Sequence, residues 1–586
     1  MKQARLRSLT LAALLAVLAP AAHAQQASDV VAPEGKSGIT TRAPVHAASQ
    51  MVAAANPLAA QAGLAVLRDG GNAADALVAV QAVLGLVEPQ SSGLGGGAFL
   101  TWYDASTGNV TTFDGRETAP AAATPNLFLG ADGKPLEFFD AVVGGRSVGT
   151  PGVPRLLETV HARYGKRPWA GLFDQAIELG EKGFAVSARL NALLVEDGGR
   201  LDQDPAARAY FFGSDGKPLA TGTELANPDY AATLKAMAAG GADAFYKGAI
   251  AEKIVAAIQG HATNPGGLTL ADLAGYEVKE RSAVCAPYRG HQVCGMGPPS
   301  SGAIAIGQIL GMIEPFDIAT LGPDDPVSWR IIGDATRLAF ADRERFVADS
   351  DFVTLPKGLL DADYLKSRSA LLRRDTALGP DEASAGEPPW DKAELRIDGR
   401  SLEQPSTSHF TVVDKDGNIA AMTSSIENGF GSRMMVAGFL LNNQLTDFSF
   451  EPEADGEAVA NRVEAGKRPR SSMSPTIVLR DGKPVFALGS PGGSRIIPYV
   501  ATTIIALIDW KMDMQAAISL PHMVNRSGTY DLEAGTPAEG MADDLEALGY
   551  EVMVRDLNSG LHGITIDAGG LTGGADPRRE GVALGD

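Results

Sequence analysis

Residues 405–413 read Pro405-Ser406-Thr407-Ser408-His409-Phe410-Thr411-Val412-Val413, and their surroundings set the organisation of the whole chain. Upstream, residues 374–406 are rich in Pro, Asp, Glu, Gly and Ser and have little apolar periodicity, which predicts an exposed, mobile linker. Downstream, His409–Val413 and Ile419–Ser425 flank Asp414-Lys415-Asp416-Gly417, a strand–turn–strand pattern with an Asp-Gly turn. A flexible stretch therefore runs straight into the first strand of a sheet. A threonine hydroxyl is a weak nucleophile by itself. A cut before Thr407 would place a new α-amino group, with a pKa of about 8, beside Oγ as a built-in general base. Local composition alone makes the same stretch an ordinary start of a strand.

Working outward, Thr476–Leu479 and Val485–Leu488 flank Arg480-Asp481-Gly482-Lys483 as a second hairpin, and Glu551–Val554 and Gly563–Asp567 read as closing strands. Ser494–Trp510 and Ala538–Leu548 read as helices. Toward the N-terminus, Asn56-Pro57 caps and starts a helix that stops at Gly70-Gly71, and Asn72 starts another ending near Leu86. Residues 88–97 form a glycine loop, followed by strands at Phe99–Tyr103 and Asn109–Phe113. The stretch from Pro151 to Ala341 is mostly helical. Strands and helices in separate runs predict an α+β protein of packed layers, sheet against sheet with helices outside.

The first 24 residues carry Lys2, Arg5 and Arg7, the apolar run Leu9–Leu18 and Ala22-His23-Ala24, the pattern of a secretory signal peptide. Export to the periplasm or the medium follows. No later apolar stretch is long enough to span a bilayer. The 586 residues hold 70 Asp+Glu against 50 Lys+Arg, a formal charge of −20, which makes nucleic acid and acidic membrane surfaces improbable partners. Cys285 and Cys294 are the only cysteines. Their spacing around Tyr288-Arg289-Gly290 suits a disulfide across a hairpin, with two buried thiols as the alternative. No H-E-x-x-H or C-x-x-C occurs, so no metal site is expected.

Two other motifs compete with Thr407. Gly145-Arg146-Ser147-Val148-Gly149 matches the G-x-S-x-G nucleophile elbow, but the elbow needs a helix directly after it, and Thr150-Pro151-Gly152 follows instead. Gly93-Leu94-Gly95-Gly96-Gly97-Ala98 loosely matches a dinucleotide fingerprint. That fingerprint needs a helix N-terminus to hold the pyrophosphate, and here a strand follows.

Longer motifs reach further. They are Glu88-Pro89-Gln90-Ser91-Ser92-Gly93-Leu94-Gly95-Gly96-Gly97, Arg116-Glu117-Thr118-Ala119-Pro120, Pro298-Pro299-Ser300-Ser301-Gly302 and Thr407-Ser408-His409. After them come Leu441-Asn442-Asn443-Gln444, Lys467-Arg468-Pro469-Arg470-Ser471-Ser472-Met473-Ser474-Pro475-Thr476 and Gly489-Ser490-Pro491-Gly492-Gly493-Ser494-Arg495. In this order, and over nearly all of the mature chain, they resemble the γ-glutamyltranspeptidase family of N-terminal nucleophile hydrolases. The resemblance implies a four-layer αββα sandwich built jointly by two subunits. It also implies self-cleavage between Ser406 and Thr407 into a large subunit of 25–406 and a small one of 407–586, which stay together as a heterodimer.

By the same resemblance Thr407 attacks the γ-glutamyl amide of glutathione and related compounds, and the acyl group passes to water or to an amino acid or peptide. No cofactor is implied. Ser425 is the second hydroxyl beside the nucleophile, and Gly492 and Gly493 form the oxyanion hole. Arg116, Ser471 and Ser472 bind the substrate α-carboxylate, a task that suits the guanidinium fork of Arg116. Gln444 and Asp447 accept from its α-ammonium. Three positions depart from the family pattern. Glu427 replaces an asparagine that touches the substrate amino group, Thr446 replaces an aspartate, and residues 448–466 look shorter than the lid of some members. A more open site favours water as acceptor. The competing expectations are a glutaryl-amide acylase of cephalosporin-acylase type in the same family, and an inactive periplasmic binding protein that keeps the fold without being cut.

Overall fold

The computed structural model describes residue 35 and residues 37–197, 199–373, 375–390, 397–399 and 401–586. The signal-peptide stretch lies outside them. Fourteen strands form the two central sheets. In the first part of the chain these are β1 (Val45–Ala47), β2 (Met51–Ala54), β3 (Gly97–Asp104), β4 (Asn109–Gly115), β5 (Lys279–Ser282), β6 (Val284–Tyr288) and β7 (His291–Gly295). After the Thr407 region come β8 (Ser408–Val413), β9 (Ile419–Ser425), β10 (Thr476–Arg480), β11 (Lys483–Gly489), β12 (His562–Asp567), β13 (Gly570–Ala575) and β14 (Val582–Gly585). One sheet has the order β14-β2-β8-β9-β3-β4-β5 and the other β1-β13-β12-β11-β10-β7-β6, with every pairing antiparallel.

Alternation along β8 and β9 explains the layering. Phe410, Val412, Ala420 and Met422 point outward, into a core with the helices α1 (Pro57–Arg68), α2 (Ala73–Val87) and α3 (Val153–Tyr164). Val413, Ile419 and Ala421 point inward and meet Ile477, Ala487, Ile564 and Leu571 of the facing sheet. That second sheet is covered on its far side by α4 (Gly302–Ile313), α5 (Pro326–Phe346) and α6 (Ile496–Ile508). The result is helix, sheet, sheet, helix, the four-layer α+β sandwich expected. Its helices start where their caps allow. Asn56 accepts from the Leu58 N–H at 3.0 Å, and Asn72 and Asp75 close a capping box. All fifteen residues of α2 are buried, which fits a helix made almost wholly of Ala, Val and Leu.

Three expectations change. The mostly helical stretch also contains β5–β7, including the hairpin that sets Cys285 opposite Cys294 and joins them by a disulfide. The 374–406 stretch is not an exposed linker where it is described: Leu378, Ala383, Glu403 and Ser406 are buried. Its polar composition is spent on specific partners instead of on water. Two strands follow those read as the last ones, and Glu551–Arg555 belongs to a separate three-stranded sheet. Strand β13 lacks the usual β-branched signal because its glycines make room for neighbours. A Cβ on Gly573 would meet Met51 Sδ at 2.4 Å, and one on Gly574 would meet Ile518 at 2.9 Å.

Both sheets combine strands from before and after residue 407. The first sheet takes β2, β3, β4 and β5 from upstream and β8, β9 and β14 from downstream. Neither portion closes a sheet by itself.

Candidate active site

Thr407 sits immediately before β8, with a φ of 95°. This left-handed region is costly for a β-branched residue, so the surroundings must hold the backbone there. Its Oγ1 lies 3.1 Å from Ser425 Oγ at the end of β9, which in turn accepts from the Glu427 N–H at 2.8 Å. The carbonyl oxygen of Ser406 accepts from the Gly492 N–H at 3.2 Å, and that of Thr407 accepts from Arg579 Nη1 at 3.2 Å. The peptide bond between Ser406 and Thr407 is thus gripped at both of its flanking carbonyls. The loop of residues 88–97 supports it from behind: Ser406 Oγ donates to the Gln90 carbonyl at 3.1 Å, and Ser408 Oγ to Glu88 Oε2 at 3.1 Å. Gly95 and Gly96 have no room for a Cβ, which would stand 2.1 Å from the Leu440 and Ser425 carbonyl oxygens. The glycine loop therefore holds backbone against backbone under the site.

His409 follows closely in sequence but does not serve Thr407. Its ring nitrogens lie 2.9 Å from Thr423 Oγ1 and 3.1 Å from Thr411 Oγ1, and burial, with His562 nearby, keeps the imidazole well below its ordinary pKa. A Cβ on Gly489 would strike this ring at 2.4 Å, so Gly489 leaves the space in which the ring packs under the Gly489–Gly493 loop. Ser147 lies on a short 3-10 turn, and its hydroxyl donates to the Val142 carbonyl at 2.6 Å. A hydroxyl already spent on a backbone carbonyl is not poised to attack.

Beside Thr407 lies a polar cavity lined by Arg116, Glu403, Gln404, Ser425, Glu427, Gln444, Asp447, Ser471, Ser472 and Gly493. Every side-chain position expected from the sequence is therefore brought together. Arg116 is buried and already engaged: Nη2 donates to Asp447 Oδ2 and to the Arg470 carbonyl at 3.0 Å, and Nε donates to the Pro469 carbonyl at 3.2 Å. Gln444 Nε2 also donates to Asp447 Oδ2, at 3.1 Å. Asp447 Oδ1 and Gln444 Oε1 are buried without a partner. Unpaired buried acceptors are costly. Two of them in one cavity suit a donor-rich, positively charged ligand group.

The carboxyl groups respond to this crowding. Burial raises Asp447 to about 6, partly offset by Arg116. Burial and the neighbouring Asp447 push Glu427 well above the usual carboxylate range. Its oxygens accept from the Gln404 N–H at 3.0 Å and from Asn443 Nδ2 at 2.6 Å. Glu117, adjacent to Arg116, rises to about 8 through burial, with Arg116 pulling the other way. Residues 448–466 are tied in as well, for Asn461 Nδ2 donates to the Asp447 carbonyl at 2.7 Å. Among the described residues no group of His, Cys, Asp and Glu is arranged to hold a metal ion.

Residues 59–586 match the model of the family described as Gamma-glutamyltranspeptidase. The chain belongs to this family. It is 37% identical over 548 residues to a glutathione hydrolase proenzyme of Bacillus subtilis, covering 91% of each chain, and 36% identical over 549 residues to that of Escherichia coli, again covering 91% of each. It is also 34% identical to an acylase ACY 1 proenzyme of a Pseudomonas species, covering 92% of this chain and 94% of that one. Among solved structures, a cephalosporin acylase from Bacillus halodurans superposes with a TM-score of 0.83 at 26% identity, covering 94% and 99% of the two chains. The γ-glutamyltranspeptidase of Helicobacter pylori gives 0.55 at 33% identity, over 60% of this chain and 97% of that one. The family brings with it γ-glutamyl hydrolase or transferase chemistry, and the three curated relatives named here are proenzymes.

Four residues of the site escaped the sequence reading: Arg343, Glu403, Glu117 and Arg579. Arg343 sits in a helix whose charges look like a solvated face, and Glu403 in a stretch whose composition looks like a linker. Burial of charged side chains has no local signature, so only the fold reveals them.

Proposed function

We propose that this chain is an exported precursor that cuts itself between Ser406 and Thr407 and then acts as a γ-glutamyl hydrolase or transferase with Thr407 as nucleophile. One observation carries the proposal. The strained Thr407 has its hydroxyl on Ser425 Oγ while the carbonyl before it accepts from Gly492 N–H. Attack of Thr407 Oγ on the Ser406 carbonyl carbon replaces the C–N bond with an ester and frees the Thr407 amine. Water hydrolyses the ester, giving a Ser406 carboxylate and the restored hydroxyl. The backbone strain at Thr407 is relieved as its amide is lost, and the Gly492 N–H stabilises the charge that develops on the carbonyl oxygen.

The freed α-amine then serves as base for the same hydroxyl. In the second reaction Oγ attacks the γ-amide carbonyl of the donor, the oxyanion meets Gly492 and Gly493, and the leaving amine takes the proton. The γ-glutamyl ester on Thr407 passes to water, or to the amine of an amino acid or peptide. Asp447, Gln444 and Glu427 hold the donor ammonium, and Arg116, Ser471 and Ser472 its carboxylate. The large subunit 25–406 and the small subunit 407–586 remain a heterodimer because both contribute strands to each central sheet.

The likeness to the Bacillus halodurans cephalosporin acylase favours a second reading, glutaryl-amide cleavage. A glutaryl group carries no ammonium, so it leaves Asp447 Oδ1, Gln444 Oε1 and Glu427 without a cationic partner. Parallel turnover of γ-glutamyl and glutaryl p-nitroanilides decides the matter. The γ-glutamyl donor is expected to have a kcat/KM at least tenfold higher, and a preference for the glutaryl donor overturns the substrate assignment. A purified wild-type chain that remains whole on a denaturing gel overturns the self-cleavage.

A further inference from the structure

Arg343 is a buried cation beside the cavity with no part in the chemistry above. It lies near the end of α5, and its guanidinium makes four side-chain contacts. Nε donates to Ser301 Oγ at 2.8 Å, Nη1 to Glu344, and Nη2 to both Glu403 and Ser472 Oγ, the latter at 2.9 Å. Ser301 and Ser472 belong to loops that brace each other, for the Ser301 hydroxyl also donates to the Ser471 carbonyl at 2.8 Å. Glu403 is different. It stands four residues before Thr407, on the segment that ends at the cut.

The Glu403 carboxylate is held where a ligand carboxylate belongs. It is buried, and although burial alone would raise its pKa, Arg343, Arg470 and a hydrogen bond with Ser472 keep it below the ordinary range. Glu403 and Gln404 fill the cavity beside Thr407 and leave about 20 Å³, space for about one water molecule and none for a glutamyl group. A Cβ on Gly493 would meet the Gln404 carbonyl oxygen at 2.7 Å, so the segment also lies directly over the oxyanion loop. Arg116, meanwhile, has its Nη2 and Nε occupied by Asp447 and backbone carbonyls.

We propose that Arg343 is a second cation of the α-carboxylate seat, occupied by Glu403 in the uncut chain and by the α-carboxylate of the donor in the cut one. The proposal rests on the self-cleavage reading. Cleavage detaches residues 401–406 from β8 and places a new carboxylate, that of Ser406, next to Thr407 at the edge of the cavity that holds Asp447. Like charges in a poorly solvated space repel, and the free end withdraws. Arg343 Nη2 then keeps Ser472 Oγ but has lost one of the two carboxylates that balanced its guanidinium, Glu344 being the one left, and a buried cation short of a partner favours an anion in the emptied seat. The fitting ligand is an L-α-amino acid carboxylate next to its ammonium on Asp447. Arg343 is thereby a specificity-determining residue for γ-glutamyl over glutaryl donors, alongside Arg116.

Two measurements test this. In cut Arg343→Gln enzyme the KM for γ-glutamyl p-nitroanilide is expected to rise at least tenfold with kcat within threefold of wild type, while the KM for glutaryl p-nitroanilide moves less than twofold. Arg343→Lys is expected to recover part of the loss. Equal losses on both donors, or an unchanged KM for the γ-glutamyl donor, overturn the proposal. The second measurement leaves Arg343 intact, so it stands even if those variants fold poorly. L-glutamate titrated into uncut Thr407→Ala chain is expected to bind at least tenfold more weakly than to Thr407→Ala/Glu403→Ala, in which the seat is cleared. Equal affinities overturn the proposal. Failure of the underlying reading is seen separately, as a wild-type chain that stays whole on the gel.

Discussion

Ser147 and Thr407 are two buried hydroxyl residues next to glycine-rich turns, and only one of them is arranged for chemistry. Ser147 matches a known nucleophile motif over five residues, yet its hydroxyl is consumed by the Val142 carbonyl and its backbone lies in a 3-10 turn. Thr407 matches no short catalytic motif. Its backbone is held at a φ of 95°, its hydroxyl meets another hydroxyl, and the carbonyl before it meets a glycine N–H. The difference teaches that a candidate nucleophile is picked out by what its neighbours leave unspent and by the backbone conformation in which it is held, more than by the residues that flank it.

Substitutions on each side of this contrast can break it. The largest effect is expected for Thr407→Ala, which should leave one chain of full length on a denaturing gel and no measurable anilide hydrolysis. Thr407→Ser should still be cut, more slowly. Ser425→Ala comes next. Loss of the hydroxyl 3.1 Å from Thr407 Oγ1 should slow both self-cleavage and turnover by roughly tenfold to a hundredfold, read from gel time courses and initial rates.

A smaller effect concerns pH and stability. Glu117 keeps its proton to about pH 8 in the folded chain, against an ordinary value of 4.5. A carboxyl with a raised folded pKa binds more protons folded than unfolded between those two values. Its contribution to stability is therefore full below about pH 4.5 and is lost as pH rises through 8. Glu117→Gln should flatten this dependence, so that its melting temperature falls less than that of wild type between pH 5 and pH 9 in a thermal scan. A parallel fall in both proteins contradicts the assignment. The smallest effect belongs to the other half of the comparison. Ser147→Ala should leave cleavage and turnover within twofold of wild type and cost about 1–2 kcal/mol of stability, the loss of one buried hydrogen bond, measurable in denaturant. A Ser147→Ala chain without activity would reopen the elbow reading.

Much of this frame was legible in the sequence because its signals are local. Asn56 and Asn72 cap helices where the pattern placed them, and the two Asp-Gly hairpins lie at Ser408–Ser425 and Thr476–Gly489. The order of the long motifs carried the site, and the fold gathers Arg116, Ser425, Glu427, Gln444, Asp447, Ser471 and Ser472 around one cavity with Thr407. What stayed hidden is non-local. The glycines of β13 look like a turn until Met51 and Ile518 are seen to fill the space above them. Residues Glu403 to Ser406 read as part of a linker because nothing in their own sequence announces that Arg343, Glu427 and Gln90 wait for them across the fold. The mutual pairing of Arg116 and Asp447 was equally out of reach, since the two lie 331 positions apart.

The most direct test is the N-terminal sequence of the small fragment from purified, active protein. A fragment beginning with Thr407-Ser408-His409 is the expected result. Active protein that consists of one uncut chain, or whose new terminus lies elsewhere, contradicts the account at its root.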